Sequence, residues 1–193
     1  MPVELTKGQK VSLAKPTGGG LTMVRMGLGW DSIAERGFLG RSKRTPIDLD
    51  ASCLLLDAGG RLVDQVWFRQ LTSKDGAVRH TGDNTTGDGA GDDESIIVDL
   101  ARVAPQVQTL VFTVNSFTGQ DFTKVENAYC RLVDEVAGTE IARYTLTGSG
   151  THTAVVMAKV SRQGPGWTMA AIGAPGHGRT FQDLMPMIVA SLA

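Results

Sequence analysis

The strongest constraint on the fold is a series of short runs rich in Val, Ile, Leu and Thr, each ending at a turn signal. Runs of this length and composition are typical of β-strands. The predicted strands are 10–14, 21–28, 50–57, 62–68, 95–98, 109–115, 127–134, 139–146, 153–161 and 167–173. Glycine-containing turns at 57–60, 138 and 163–166 predict three hairpins. So many strands require two layers, and we predict a mainly β fold: a β-sandwich of two mostly antiparallel sheets.

Helix signals are sparse. The best lies at 180–192, where Phe181, Leu184 and Ile188 recur at the spacing of one helix face. Thr180 begins this segment and is a suitable N-cap. A second short helix is predicted at 100–107. The sandwich is therefore expected to carry one or two short helices, including one at the C-terminus.

Length and composition narrow the class of protein. The 193 residues are enough for one domain, which we predict to span 1–193. Apolar residues make up 41% and charged residues 20%, which excludes a disordered chain. No run approaches the ~18 apolar residues of a membrane-spanning helix, and charges stand where a signal peptide would be apolar. We expect a cytoplasmic protein that does not insert into membranes. A net charge of -1 disfavours nucleic acid as a partner.

The two cysteines, Cys53 and Cys130, both lie inside apolar runs predicted to be strands. Two cysteines are too few for a disulfide-rich scaffold. Neither belongs to a C-x-x-C motif of the kind that favours a reactive thiolate. We predict buried free thiols and disfavour a thiol enzyme.

The segment 80–94 is the most informative for function. Five acidic side chains lie between 83 and 94, and no Lys or Arg stands between Arg79 and Arg102. Crowded carboxylates must extend into water, take up protons or share a cation. Glycines at 82, 87, 89 and 91 permit tight turns that bring oxygens together. Oxygen ligands in loose geometry favour Ca²⁺ over Mg²⁺ or Zn²⁺. The alternative is a solvated acidic loop.

The spacing within this segment is not that of an EF-hand. With Asp83 as the first ligand, Glu94 falls at position 12, but Thr85 occupies position 3 and the glycine is misplaced. A helix-loop-helix calcium site is therefore excluded. His80 stands directly before the acidic residues and is a candidate to support them.

Further acidic residues are placed by strand alternation. Asp48, Asp50 and Ser52 fall on one face of a predicted strand, with Leu49, Ala51 and Cys53 on the other. We expect the acidic face to be either exposed or bound to an ion. Asp31 projects past the end of another strand in the same way. The basic segment between them, 32–47, is expected to be a solvated surface loop, the alternative being contact with a phosphate or an acidic partner.

Four separated blocks of sequence closely resemble the signature motifs of the TerD family. They are Gly29-Trp30-Asp31, Asp48-Leu49-Asp50-Ala51-Ser52-Cys53, the pair 80–87 with 91–94, and Asn127-Ala128-Tyr129-Cys130-Arg131. The resemblance covers nearly the whole chain. It implies a calcium-binding β-sandwich associated with bacterial tellurite resistance and general stress responses, with partners among other proteins of that system.

The resemblance also implies a ligand set. Carried onto this chain, the metal ligands are Asp31, Asp48, Asp50, Asp83, Asn84, Asp88, Asp92, Asp93 and Glu94. These side chains offer more oxygens than one Ca²⁺ accepts, so we expect two neighbouring calcium ions.

An enzymatic alternative comes from Asp48-Leu49-Asp50-Ala51-Ser52, which resembles the D-x-D-x-[TS] motif of haloacid dehalogenase-type phosphatases. In that motif the first Asp attacks phosphate and the second acts as acid and base beside Mg²⁺. It requires an apolar strand just before it in an alternating α/β chain, whereas here the apolar strand follows the motif. We therefore expect no enzyme and no catalytic residues.

Overall fold

The computed structural model describes residues 2–14, 18–32, 34–36, 42–44, 46–85, 91–146 and 150–192. The strands are β1 (Val3–Glu4), β2 (Lys10–Ser12), β3 (Met23–Ser32), β4 (Ala34–Arg36), β5 (Ser42–Arg44), β6 (Leu49–Leu56), β7 (Leu62–Val66), β8 (Val78–His80), β9 (Glu94–Asp99), β10 (Thr109–Ser116), β11 (Val125–Asp134), β12 (Thr139–Thr145), β13 (Ala154–Gln163) and β14 (Gly166–Gly176). Every predicted strand is confirmed. The unpredicted strands β1, β4, β5 and β8 have two or three residues, too few for a detectable alternation.

The strands form two six-stranded sheets and a separate hairpin. Sheet A has the order β1-β12-β11-β3-β9-β8, and sheet B has the order β2-β14-β13-β10-β6-β7. Apart from the parallel pair β1 and β12, the paired strands run antiparallel. The predicted fold class is confirmed. Strands β4 and β5 form a separate two-stranded sheet within the basic segment 32–47, so part of this segment is strand rather than the expected loop. Arg41 lies outside the described residues.

The core lies between the two sheets because alternate residues of each strand point inward. Leu28 of β3 and Cys53 of β6 belong to this core, and so does Phe112 of β10. The opposite face of sheet B carries a second apolar cluster, in which Leu54 and Leu56 pack under the C-terminal segment. Around β6, sheet B is therefore covered on both faces, and Asp50 of β6 is buried.

The predicted C-terminal helix is confirmed in two parts, a 3₁₀ turn over Phe181–Leu184 and helix α1 over Met185–Ala190. The backbone N–H of Thr180 donates to Asp183 Oδ2 at 3.1 Å, which stabilises the first turn. Pro186 is tolerated because it occupies the first turn of α1, where no helical hydrogen bond is lost. Within the described residues, no helix is long and apolar enough to cross a lipid bilayer.

The predicted helix at 100–107 is wrong, since the structure forms only turns there. Pro105 disfavours helical geometry at the preceding residue. The backbone carbonyls of Val103, Ala104 and Val107 instead accept hydrogen bonds from the guanidinium of Arg162. A contact distant in sequence thus takes the place of the helix.

Candidate functional site

Three acidic side chains meet beside the start of β6. Asp48 precedes this strand, Asp50 is its second residue and Asp83 follows β8. One carboxylate oxygen from each lies within 4.8 Å of the others. Residues far apart in sequence therefore place three carboxyl groups at one point, where sheet B meets the loop that leaves sheet A.

Of the two alternatives for the acidic face of β6, exposure to solvent is wrong for Asp50 and Ser52, which are buried, and binding of an ion stays a prediction. Asp50 is only 5% exposed and Ser52 only 3%. The chain after β14 lies over this end of sheet B, where the Asn115 side-chain amide donates to the carbonyl oxygen of Gly178 at 3.2 Å. Asn115 is the cross-strand neighbour of Asp50. The sequence reasoning missed this cover because the contact joins distant segments.

Burial leaves two carboxylate oxygens of the cluster without a hydrogen-bond donor in the described structure, Asp48 Oδ1 and Asp50 Oδ2. The pKa of Asp50 is raised to about 8, chiefly by burial and further by the negative charges of Asp48, Glu94 and Asp83. Burial and the nearby charges of Asp83 and Glu94 also raise the pKa of Asp48. The cluster thus has a strong electrostatic demand for a proton or a cation.

Glu94 joins the two sheets. Its side chain is fully buried, and Oε2 accepts a hydrogen bond from the backbone N–H of Ala51 at 2.8 Å. Strand β7 ends at Val66, opposite Cys53, so it does not reach Ala51. Glu94 accepts the hydrogen bond from the Ala51 backbone N–H in its place. Its Oε1 accepts from the backbone N–H of Asn84 at 3.1 Å. Glu94 therefore fixes the loop after β8 against β6.

His80 supports Glu94, as its position in the sequence suggested. Its Nδ1 accepts the backbone N–H of Gly82 at 3.1 Å, which leaves Nε2 to carry the ring proton. Nε2 lies 3.2 Å from Glu94 Oε2. Nε2 is buried and makes no hydrogen bond in the described structure, so the two side chains are in close contact without hydrogen-bond geometry.

Asp93 and Asp31 lie beside the three-carboxylate cluster. Asp93 Oδ2 accepts from the backbone N–H of Trp30 at 2.9 Å, and Oδ1 accepts from the side-chain amide of Asn84 at 3.1 Å. Burial, with added repulsion from Asp31 and other neighbouring acidic groups, raises the pKa of Asp93. Asp31 Oδ2 accepts from the side chain of Asn127 at 2.8 Å. These groups form a second acidic position next to the first.

The Asp92 side chain contacts two arginines instead of the three-carboxylate cluster. Its Oδ1 and Oδ2 accept from Nε and Nη2 of Arg131 at 2.7 and 3.1 Å, and Arg25 Nη1 lies 3.4 Å from Oδ2. Gly27 leaves room for this carboxylate, since a Cβ there would lie 2.2 Å from Asp92 Oδ2. Part of the acidic charge is therefore balanced by arginines distant in sequence. Asp88 lies outside the described residues.

The two cysteines are free and fully buried, as predicted. Burial raises the pKa of Cys53 well above its usual range and that of Cys130 to about 12. Both thiols are therefore protonated and shielded at neutral pH, which opposes nucleophilic or redox chemistry at these positions.

Comparison with known proteins gives consistent matches. The TerD domain family model matches residues 1–186. The chain is 47% identical to "Tellurium resistance protein TerZ" of Serratia marcescens, over 98% of each protein. It is 37% identical to "Stress response protein SCP2" of Bacillus subtilis, over 98% of this chain and 100% of that protein. A crystal structure of a homologue of telluride resistance protein (TerD) from Streptomyces coelicolor superposes with a TM-score of 0.69 at 24% identity, covering 86% of this chain and 98% of that one, and it supports the fold.

Proposed function

Because this chain belongs to the TerD family of tellurium-resistance and stress-response proteins, we propose that it binds Ca²⁺ and that the ion orders a surface for protein interaction. One observation carries the proposal. The buried Asp50 Oδ2 has no hydrogen-bond donor in the described structure, and its carboxylate meets two others within 4.8 Å. A shared cation would satisfy this oxygen and remove the mutual repulsion of the three groups.

The donor set favours calcium. The first position offers carboxylates from Asp48, Asp50 and Asp83, all hard oxygen ligands. Zinc prefers His or Cys ligands, and Mg²⁺ demands a strict octahedron and retains water. His80, the nearby imidazole, is already engaged by Gly82 and in close contact with Glu94.

A second calcium ion is proposed at the adjacent position formed by Asp31, Asp93 and Asn84. Asp31 is close enough to Asp93 for its charge to add to the burial that raises the pKa of Asp93. Asn84 contributes to the same position through its contact with Asp93 Oδ1. We assign anchoring of the loop, rather than metal binding, to Asp92, since its oxygens are taken by Arg131.

An aromatic surface beside the acidic cluster supports the interaction role. The backbone N–H of Phe117 donates to the carbonyl oxygen of Asp48 at 3.1 Å, and the Phe117 side chain is 37% exposed. Its ring packs edge-on to Phe68, which packs in the same way against Trp67. The Arg69 guanidinium lies over both of those rings. Partly exposed aromatic and arginine side chains are the residue types enriched at protein interfaces.

We also propose a non-enzymatic, cytoplasmic protein. The phosphatase alternative requires Asp48 and Asp50 at the end of a parallel strand in an α/β fold, whereas β6 is paired antiparallel on both sides. Burial of both thiols opposes the thiol-enzyme alternative. The phosphatase alternative would be supported if the protein hydrolysed a general phosphatase substrate with Mg²⁺ and an Asp48→Asn variant did not.

Calorimetric titration with Ca²⁺ and then Mg²⁺ tests the metal proposal. We expect wild type to bind Ca²⁺ at micromolar concentration or tighter, with Mg²⁺ binding much more weakly. Asp50→Asn should remove or strongly weaken the Ca²⁺ signal. Glu4→Gln, an exposed carboxylate on β1, is the matched control and should bind as wild type does. Equal Ca²⁺ binding by wild type and Asp50→Asn would refute the proposed site.

A photo-crosslinking amino acid at position 117 tests the interaction role inside cells. We expect a discrete crosslinked species that disappears in an Asp50→Asn background. The same amino acid at Val136, which is 66% exposed on the β11–β12 turn, controls for collisions. Identical crosslinks from both positions, or crosslinks unaffected by Asp50→Asn, would argue against a calcium-ordered interface.

A further inference from the structure

A cavity of about 330 Å³ lies against the outer face of sheet B, the face turned away from sheet A. Val11, Val160 and Met169 of the same three strands point into the core, so their sequence neighbours face outward. Lys10 of β2 pairs with Ala170 of β14, and Ala170 pairs with Lys159 of β13. Two lysines therefore flank an alanine in one cross-strand row.

The spacing of this row leaves room for a ligand. Adjacent strands lie about 4.8 Å apart, so the two lysine Cα atoms are roughly 10 Å apart across the row. Ala170 projects only a methyl group between them. A group bound above Ala170 can thus be reached by both ammonium groups, one from each side.

The neighbouring row supplies hydroxyl groups. Ser161 of β13 pairs with Thr168 of β14. Ser161 Oγ lies 3.1 Å from Thr109 Oγ1, and Thr168 Oγ1 donates to Gln163 Oε1 at 2.6 Å. Both Ser161 and Thr168 line the cavity. Hydroxyls can donate or accept, so this row can adapt its hydrogen bonds to an anion's oxygens.

Lysine side chains give the cavity a positive charge. Lys10, Lys159 and Arg162 line it, and none of the described residues lining it is acidic. Arg162 follows Ser161 on β13, and its guanidinium lies on the core side of the sheet, where it donates to backbone carbonyls of 103–107 and stacks on Trp167. The positive charge that faces the cavity therefore comes from Lys10 and Lys159. Lys159 Nζ donates to the Ser191 carbonyl at 2.5 Å. Burial and the charge of Lys10 lower the pKa of Lys159, the direction expected for cations that lack a counter-ion.

We propose that this cavity binds the phosphoryl group of a small phosphorylated ligand, with Lys10 and Lys159 holding its oxygens and Ser161 and Thr168 adding hydroxyl contacts. A phosphate group presents several charged oxygens to donors on different sides, and lysine binds phosphate as a point charge. The volume lies at the low end of small-molecule pockets, about 300–1,000 Å³, and suits a phosphate monoester better than a bare ion.

This site is distinct from the acidic site. Asp50 lies in the cross-strand row that includes Asn115 and Ala154, whereas Ser161 is seven positions further along β13. At about 3.3 Å per residue, the two sites are roughly 23 Å apart on one sheet. Failure of phosphoryl binding would leave the calcium proposal intact, and the reverse also holds.

The test is a titration of the full chain with inorganic phosphate and with phenyl phosphate. Binding is measured from the chemical-shift changes of backbone amides in NMR spectra. We expect saturable shifts centred on Lys159, Ser161 and Thr168. A Lys10→Gln/Lys159→Gln double variant should weaken binding by about tenfold or more, since two charge-assisted contacts are lost. Lys74→Gln, an exposed lysine on the segment between β7 and β8, is the matched control and should leave binding unchanged.

Two further arms complete the test. Asp50→Asn should bind phenyl phosphate as wild type does, which separates this site from the calcium site. Co-sedimentation with phosphatidylcholine vesicles, with and without phosphatidic acid, distinguishes a lipid headgroup from a free metabolite. Vesicle binding that is lost in the double lysine variant would assign the phosphoryl group to a lipid. No binding in either arm, or binding unaffected by the double variant, would overturn the proposal.

Discussion

Replacing Asp50 by asparagine should stabilise the metal-free protein at neutral and alkaline pH. The pKa of Asp50 rises from 3.8 to about 8, so the folded protein holds a proton that the unfolded chain has released. The stability of the metal-free wild type therefore falls as pH rises from about 4 to 8. At about 1.4 kcal/mol per pKa unit, the burial of this carboxylate costs up to roughly 5 kcal/mol at pH 8. Asparagine has nearly the same shape and does not ionise.

The measurement is urea denaturation of wild type and Asp50→Asn in chelator at pH 5, 7 and 8. Every other titrating group is present in both proteins, so the difference in free energy of unfolding reports Asp50 together with its repulsion by Asp48, Glu94 and Asp83. We expect the variant to be more stable than wild type by about 1.5 kcal/mol at pH 5, where Asp50 of the unfolded chain is already largely ionised, and by roughly 5 kcal/mol at pH 8. The difference at pH 8 is a large share of the stability of a typical domain, about 5 to 15 kcal/mol.

Calcium should stabilise wild type more than the Asp50→Asn variant. Ca²⁺ at a hundredfold excess over Kd would stabilise wild type by about 2.7 kcal/mol and the variant by much less. The gap between the two proteins should therefore narrow when Ca²⁺ replaces chelator. A variant that is less stable than wild type by the same amount at pH 5 and pH 8 would refute the reasoning, because the Asp50 oxygens would then be satisfied without a cation. Glu4→Gln should show no dependence of this kind.

Three further outcomes are expected around the site. Arg131→Met should destabilise the protein by about 3 kcal/mol because it leaves the buried Asp92 carboxylate poorly paired, and adding Asp92→Asn should recover part of the loss in a double-mutant cycle. Gly27→Ala should lower the urea midpoint strongly, since its Cβ would overlap Asp92, while Gly20→Ala, with its nearest contact at 3.9 Å, should not. Both thiols should resist a thiol-specific reagent in native protein and react after denaturation; rapid labelling of the native state would contradict their burial.

The predicted strands depend on local information and were therefore readable from the sequence. Alternation of side chains has a period of two residues, and hairpin turns require glycine at particular positions. The helix at 180–192 was likewise readable from the spacing of Phe181, Leu184 and Ile188. The error at 100–107 has a local cause, Pro105, and a non-local one, since the Arg162 side chain binds backbone carbonyls of this segment. Short strands such as β8 form because a longer neighbour supplies their partners.

The sequence alone identified a concentration of carboxylates around 80–94 and the acidic residues that precede the main strand of sheet B, because composition and strand alternation are local properties. Only the tertiary structure decided which of them meet. It brings Asp83 to Asp48 and Asp50, engages Glu94 with the backbone of β6, and turns Asp92 toward Arg131. It also buries Asp50 under the C-terminal segment. These outcomes depend on which strands become neighbours in the two sheets, and the pairing is determined by contacts between residues far apart in the chain.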